Sequence, residues 1–151
     1  MHKRRTSRVI FLAAGLVAAT LALQGCAVVD ELVYKQRSSA FPTAEAAREA
    51  WDLDAAWVPA DAKDVRVVES TVAGASDAVL LVSSDTALDP ALCAEVIRQS
   101  GAGYTIDGAP DAYRADTVFA CGPWSVIPSD EGWFGWTPNH PNELAQSPSP
   151  R

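Results

Sequence analysis

The chain has 151 residues, with 12 basic and 19 acidic side chains and a formal net charge of −7. Its hydrophobic fraction of 48% is typical of a globular protein and excludes a disordered, collagen-like or polytopic membrane chain. Residues 26–151 hold 8 basic and 19 acidic side chains, a formal charge of −11, which argues against nucleic acid as a partner because phosphate binding needs a basic surface.

Residues 1–25 have the pattern of an export signal. Their basic side chains all precede an apolar stretch of 15 residues, 9–23. This length fits the apolar part of a signal peptide and falls short of the about 20 residues that a permanent membrane span needs. We therefore expect residues 1–25 to direct export and then to be removed.

The apolar stretch ends in Leu23-Gln24-Gly25-Cys26. This segment resembles the lipobox of bacterial lipoproteins, with Leu three positions before a cysteine and a small residue directly before it. The resemblance implies that the Cys26 thiol carries a diacylglyceryl group, that the chain is cut before Cys26, and that lipid anchors the protein to the outer face of the cell membrane. The alternative is an ordinary secretory cleavage site at Gly25-Cys26-Ala27, which leaves Cys26 unmodified.

The two ends of the exported chain are predicted to lie outside the folded domain. Residues 26–41 form a stalk, either a short helix, because apolar pairs recur at i,i+4 spacing, or a mobile tether. Residues 138–151 contain four prolines and hardly any large apolar side chains, which predicts a disordered tail. Residues 42–137 remain for one domain with one modest core.

The first half of this domain begins with a helix and a hairpin. Thr43 is placed to cap a helix that extends to Trp51, because Ala, Glu and Arg fill the positions between them. Residues 65–72 and 78–82 are rich in β-branched and apolar side chains, and Gly74-Ala75-Ser76-Asp77 separates them. This pattern predicts a β-hairpin.

The second half is predicted to contain one more helix and three strands. Asp89-Pro90 combines an N-cap residue with proline at the first helical position, and the helix would end before Gly101. The strands are residues 117–121, 124–127 and 133–137. The fold class predicted from this order is α+β: a small single domain with a mostly antiparallel sheet, helices on one face and one disulfide.

The disulfide is expected between Cys93 and Cys121. Once Cys26 is assigned to the anchor, these two are an even pair in an exported chain, where thiols oxidise. Zinc is the alternative for a cysteine pair, but residues 26–151 contain one histidine, His140, in the predicted tail. We therefore predict no metal site and no cofactor.

Catalytic motifs are not found. The sequence lacks the nucleophile elbow, the P-loop, the dinucleotide fingerprint and the zinc-protease helix, so no catalytic residue is assigned and enzyme activity is left open. Acidic pairs occur at Asp52/Asp54, Asp61/Asp64 and Asp130/Glu131, and a glycan hydrolase would use such a pair. Asp107, Asp111 and Asp116 lie in a loop that lacks the ligand spacing of an EF-hand. A solvated surface is favoured for both sets.

Four aromatic side chains lie within 13 residues: Trp124, Trp133, Phe134 and Trp136. In a strand, Phe134 and Trp136 point to one side and Trp133 to the other. A sheet with one buried face cannot bury all of them, so Trp124, Trp133 and Trp136 are candidate binding residues for a protein or glycan partner. The alternative is that these indoles fill the core while other segments cover the second face.

Four further segments share a pattern with one group of proteins. They are Trp57-Val58-Pro59-x-Asp61-Ala62, Leu88-Asp89-Pro90-Ala91-Leu92-Cys93, Cys121-Gly122-x-Trp124 and Trp136-Thr137-Pro138. Together they resemble small exported actinobacterial lipoproteins over about residues 51–138, which implies the anchor and the disulfide but no activity. We expect a membrane-anchored binding or interaction module. A carboxylate-dependent glycan hydrolase and an accessory subunit of an envelope complex are the alternatives.

Overall fold

Seven strands pair into one antiparallel sheet in the computed structural model, which describes residues 33–51 and 54–148. The chain divides into two units, residues 1–35 and 36–151, and the sheet belongs to the second. Its strands are β1 (Gln36–Thr43), β2 (Lys63–Ser70), β3 (Ala78–Ser83), β4 (Ala94–Ile97), β5 (Thr117–Cys121), β6 (Trp124–Ser129) and β7 (Gly132–Thr137). The sheet order β1-β2-β3-β7-β6-β5-β4 makes β1 and β4 the two edges.

Helices contribute little to this unit. Its described residues form α1 (Ala44–Ala50), α2 (Pro141–Leu144) and a 3₁₀ turn (Ala112–Arg114). The predicted antiparallel sheet is confirmed, while the domain is mostly sheet rather than an even mixture of sheet and helix. The helices also lie on opposite faces, because α1 packs into the core of one face and α2 reaches Ser125 on the other.

The predicted helix after Thr43 and the predicted hairpin are confirmed. The Thr43 hydroxyl accepts a hydrogen bond from the backbone N–H of Ala46 at 3.2 Å, which satisfies one of the free donors at the start of α1. The helix ends at Trp51, whose backbone is extended. β2 and β3 pair antiparallel as the hairpin pattern predicts, and the last three predicted strands are β5, β6 and β7.

Both faces of the sheet are buried. Leu80, Trp124 and Val126 belong to the first core cluster, which α1 and the Trp57–Val58 segment cover. Val79, Phe134 and Trp136 are among the residues of the second cluster, which lies under the irregular segment 98–116. That segment covers the sheet with small and aromatic side chains: Ala102, Tyr104, Ile106, Ala109, Ala112 and Ala115. The expectation of a single covered face was therefore wrong.

The predicted helix from Asp89 to Gly101 is wrong. Asp89 does begin a turn, since its carbonyl accepts hydrogen bonds from the N–H groups of Leu92 and Cys93, both at 2.9 Å. The chain then becomes β4, which pairs with β5. Two β-branched residues, Val96 and Ile97, fit a strand better than a helix. A local start signal is thus overridden by pairing with a strand distant in sequence.

The predicted disulfide between Cys93 and Cys121 is confirmed. Their Cα atoms are 4.3 Å apart and their sequence separation is 28. Cys93 directly precedes β4 and Cys121 ends β5, so the bond lies beside the first strand pair, Ala94 with Ala120. It therefore fixes the short edge strand β4 to the rest of the sheet rather than a helix to a strand.

The folded unit extends beyond residues 42–137 at both ends. Residues 36–41 of the predicted stalk lie in β1, where Phe41 pairs with Val65 and packs against the first core cluster. Residues 26–32 of the stalk, like the signal segment, lie outside the described residues. In the predicted tail, α2 buries Glu143 completely.

Candidate functional site

Two of the predicted binding residues lie inside the protein. Trp124 and Trp136 are each 1% exposed, in the first and second core clusters respectively. The Trp124 indole N–H donates to the backbone oxygen of Asp54, and that of Trp136 donates to the Ser100 hydroxyl at 2.9 Å. Because both indoles are enclosed and their N–H groups are bonded, neither offers a contact surface to a partner.

Trp133 is partly buried and is held by its surroundings. Its ring contacts Phe119 edge-on, with centroids 5.8 Å apart, and its N–H donates to the backbone oxygen of Thr86 at 2.9 Å. It points away from Phe134 and Trp136, as the alternation of a strand predicts. The three predicted indoles therefore do not form one surface.

A different indole, Trp51, lies at an accessible position. It follows α1, and its backbone N–H donates to Ala47, which closes the last turn. Its ring meets Trp124 edge-on at a centroid distance of 6.0 Å, and its indole N–H donates to Glu69 Oε2 at 2.9 Å. One side of Trp51 is thus fixed against the core while the rest is half-buried.

The carboxylate of Glu69 joins Trp51 to the edge strand. Its Oε1 accepts hydrogen bonds from Arg37 Nε at 3.0 Å and Nη2 at 2.7 Å. Arg37 and Glu69 are directly opposite in the pairing of β1 with β2, on the first face of the sheet. The side chain of Glu69 is 12% exposed and that of Arg37 is 57% exposed, so the pair extends from the core to the solvent.

Trp51 lines two cavities. The first, which we call the Trp51 groove, has a volume of about 550 Å³ and is lined by Arg37, Ser39, Phe41, Ala50, Trp51, Glu69, Ser70, Ala75, Ser76 and Asp77. The second, which we call the α1 cavity, has a volume of about 480 Å³ and is lined by Ala44, Ala47, Arg48, Trp51, Asp54, Ala55, Ala56, Val58, Val65 and Leu80. The groove carries hydroxyl and charged side chains, whereas the α1 cavity is mostly apolar.

A buried indole N–H without a partner lies near this region. Trp57 is 3% exposed, and its Nε1 has no hydrogen-bond partner in the part of the chain that the structure describes. Its ring contacts Trp124 at a centroid distance of 5.9 Å and lies against Gly135, where a Cβ atom would come within 2.6 Å of the indole. Gly135 therefore makes room for the Trp57 ring.

Three of the acidic residues singled out in the sequence, Asp61, Asp107 and Asp111, make local hydrogen bonds, and Asp52 lies outside the described residues. Asp111 caps the 3₁₀ turn by accepting from the N–H of Tyr113 at 3.0 Å, and the backbone oxygen of Asp107 accepts from Arg66. A hydrogen bond from Ser84 lowers the pKa of Asp61 below its usual value. Over residues 33–51 and 54–148, no group of three or more metal-binding side chains comes together.

Glu143 is fully buried, although the sequence analysis does not single it out as a core residue. Its oxygens accept five hydrogen bonds: from the Ser100 and Ser125 hydroxyls and from the backbone N–H groups of Gln99, Ser100 and His140, at 2.5–3.0 Å. Burial opposes ionisation of Glu143, but these hydrogen bonds outweigh it, so the pKa of Glu143 lies below its usual value. The signal for it was Pro141 at the first helical position, followed by a glutamate at the capping-box position.

Comparison with protein-family models, with curated proteins and with solved structures finds no match to this chain. The predicted lipid attachment residue, Cys26, lies outside the described residues. Within the residues that are described, no helix has the length and apolar character needed to cross a membrane. Among the described cavities, we take the Trp51 groove as the candidate binding site, because it combines an accessible indole with charged and hydroxyl side chains.

Proposed function

We propose that the protein is a lipid-anchored binding module on the outer side of the cell membrane and that its ligand occupies the Trp51 groove. The observation that carries this proposal is the groove itself, in which Trp51 is fixed beside the paired side chains of Glu69 and Arg37. Its volume of about 550 Å³ falls within the range of about 300–1,000 Å³ that is typical of small-molecule sites.

The anchor part of the proposal rests on the sequence. Leu23-Gln24-Gly25-Cys26 ends an apolar stretch of signal-peptide length, and the resemblance to a lipobox assigns the lipid to Cys26. The Cys93–Cys121 disulfide supports export, because disulfides persist in oxidising compartments. A lipid on Cys26 would keep the domain at the membrane surface, with the chain up to Lys35 as the connection.

A carboxylate-dependent glycan hydrolase is the second candidate, because Glu69 and Asp77 both line the groove. A hydrolase of this class needs one carboxyl group whose pKa is raised so that it can donate a proton. The pKa values of Asp61 and Glu143 are lowered, which is the opposite of what such a proton donor needs, and both carboxyl groups lie outside the groove. Both Glu69 oxygens already accept hydrogen bonds, from Arg37 and Trp51, and this stabilises the ionised carboxylate rather than a proton donor. The groove therefore fits a binding site better than a hydrolase site.

Membrane fractionation and lipid labelling test the anchor. We expect the wild-type protein to be in the membrane fraction and to incorporate labelled fatty acid, and Cys26→Ala to lose the label. This variant leaves the Cys93–Cys121 pair intact, so a loss of label cannot be attributed to loss of the disulfide. A soluble, unlabelled wild-type chain that begins after Ala27 would contradict the proposal.

Thermal unfolding with ligand panels tests the binding site. A ligand that binds the folded state raises the melting temperature, and the increase grows with the ligand concentration relative to the dissociation constant. We expect one chemical class among neutral oligosaccharides, short peptides and fatty acids to stabilise the protein, and Ser39→Tyr, which fills the groove, to remove the effect. Ser38→Tyr is the matched control, since Ser38 pairs with Val68 and faces the other side of β1. Equal stabilisation of both variants would place the ligand elsewhere.

A further inference from the structure

The geometry points to a neutral glycan as the ligand of the Trp51 groove. This inference rests on the proposed function, and it adds the chemical class of the ligand. Sugars combine an apolar C–H face with hydroxyl groups around the ring, so their sites need an aromatic surface beside placed hydrogen-bonding groups. The groove has both on one sheet face, where Phe41 and Trp51 lie close to Arg37 and Glu69.

The aromatic part of the groove is rigid. Trp51 is fixed by its contact with Trp124 and by the hydrogen bond from its N–H to Glu69. Phe41 is held in β1 and packs partly into the first core cluster. Because the rings are already in place, a sugar ring that stacks on them does not have to order flexible side chains, and this ordering is one of the main costs of binding.

The charged part of the groove favours a neutral ligand. Arg37 and Glu69 form a double hydrogen bond and neutralise each other, so neither charge is left to attract an ion of the opposite sign. Asp77 adds one carboxylate to the lining. An anionic ligand would therefore meet a net negative site, whereas hydroxyl groups can donate to these carboxylates and accept from the guanidinium.

The remaining lining residues are small. Ser39, Ser70, Ala75 and Ser76 leave the cavity open, and three of them carry hydroxyl groups. A fatty acyl chain would fit the apolar α1 cavity better. In the Trp51 groove it would cover hydroxyl and charged side chains without offering them hydrogen bonds, which is costly. The two cavities thus differ in chemistry although they share Trp51, and the polar one matches a short oligosaccharide.

Isothermal titration of the full-length protein with defined probes tests this inference. The glycan probes are cellotetraose, maltotetraose, mannotetraose, galactotetraose and tetra-N-acetylchitotetraose, and the comparison probes are trialanine, triglycine and decanoate. We expect at least one glycan to bind with a dissociation constant below about 1 mM and none of the comparison probes to bind in the Trp51 groove. Ser39→Tyr should abolish this binding and Ser38→Tyr should retain it.

Trp51→Phe provides a second variant that keeps an aromatic ring in the fold. It removes the N–H bond to Glu69 and part of the stacking surface, so we expect glycan affinity to fall about two- to tenfold, in line with the strength of aromatic contacts. Glu69→Gln should also weaken binding. Unchanged affinity in both variants would overturn the inference.

The outcomes separate this inference from the proposed function. Binding of a peptide or of decanoate that Ser39→Tyr blocks would leave the groove as a binding site and overturn the glycan as its ligand. Glycan binding that Ser39→Tyr does not affect would overturn the groove as the glycan site. If none of the five glycans binds, the glycan inference is wrong, and the wider ligand panels then decide whether the groove binds anything.

Discussion

The two edges of the sheet are built in different ways. At the β4 edge, the Cys93–Cys121 disulfide and the buried Glu143 carboxylate fix short segments that have little core of their own. At the β1 edge, an eight-residue strand carries Arg37, whose partner Glu69 lies at the rim of a cavity. Glu143, with five hydrogen bonds inside the protein, maintains the fold. Glu69 lines a cavity and is paired with the exposed guanidinium of Arg37, so a ligand can contact the pair.

The largest effect should come from removing the disulfide. The Cys93→Ala/Cys121→Ala double variant is expected to lose about 2–5 kcal/mol of unfolding free energy, because the unfolded chain is no longer constrained and β4 is only four residues long. Urea unfolding measures this loss, with Cys26→Ala as the control that keeps the pair. A loss below about 1 kcal/mol would show that the β4 edge does not depend on the disulfide.

The Glu143→Gln variant should be the next most damaging. The amide has the shape of the carboxylate, but its nitrogen cannot accept from Ser100, Ser125 or His140, so buried donors lose their acceptor. We expect a loss of about 2–3 kcal/mol in urea unfolding. The comparison variant is Glu69→Gln at the other edge. Equal losses in the two variants would remove the distinction between the edges.

The same carboxylate should make the β4 edge sensitive to acid. Because hydrogen bonds lower the pKa of Glu143 in the folded protein below the usual 4.5, its contribution to stability is present above that pH and is lost as the pH falls through the lowered pKa. The difference in urea midpoint between wild type and Glu143→Gln should therefore shrink below about pH 4.5. A difference that stays constant down to about pH 3 would contradict this assignment.

Local signals in the sequence predicted much of the fold. The Thr43 cap, the alternation in β2 and the apolar run in β3 depend on neighbouring residues, and the disulfide followed from an even cysteine count. The helix predicted at Asp89 failed because pairing with β5 decides that segment. The tail was predicted to be disordered from its prolines and its lack of large apolar side chains. In the structure, Glu143 accepts hydrogen bonds there from the N–H groups of Gln99 and Ser100, 44 and 43 positions away, and no local pattern reveals such contacts.

The site was predicted less well than the fold. Alternation correctly placed Trp133 opposite Phe134 and Trp136, but the irregular segment 98–116 covers the second face and encloses Trp136. Its cover consists largely of alanines, which carry no strong signal in sequence. The sequence predicts Trp51 only as the end of a helix. Its partner Glu69 lies on β2 and the partner of Glu69, Arg37, lies on β1, so the groove forms only when the strands pair.

The smallest expected effect is at the β1 edge. Arg37→Gln removes the charged partner of Glu69, but the Arg37 side chain is 57% exposed and Glu69 keeps its hydrogen bond from Trp51. The loss should therefore stay near the about 0–1 kcal/mol of an exposed ion pair. We therefore expect the urea midpoint to stay close to that of wild type. A loss as large as that of Glu143→Gln would mean that Arg37 and Glu69 hold β1 in the sheet. The β1 edge would then be structural in the same way as the β4 edge, and the argument for a ligand at its rim would weaken.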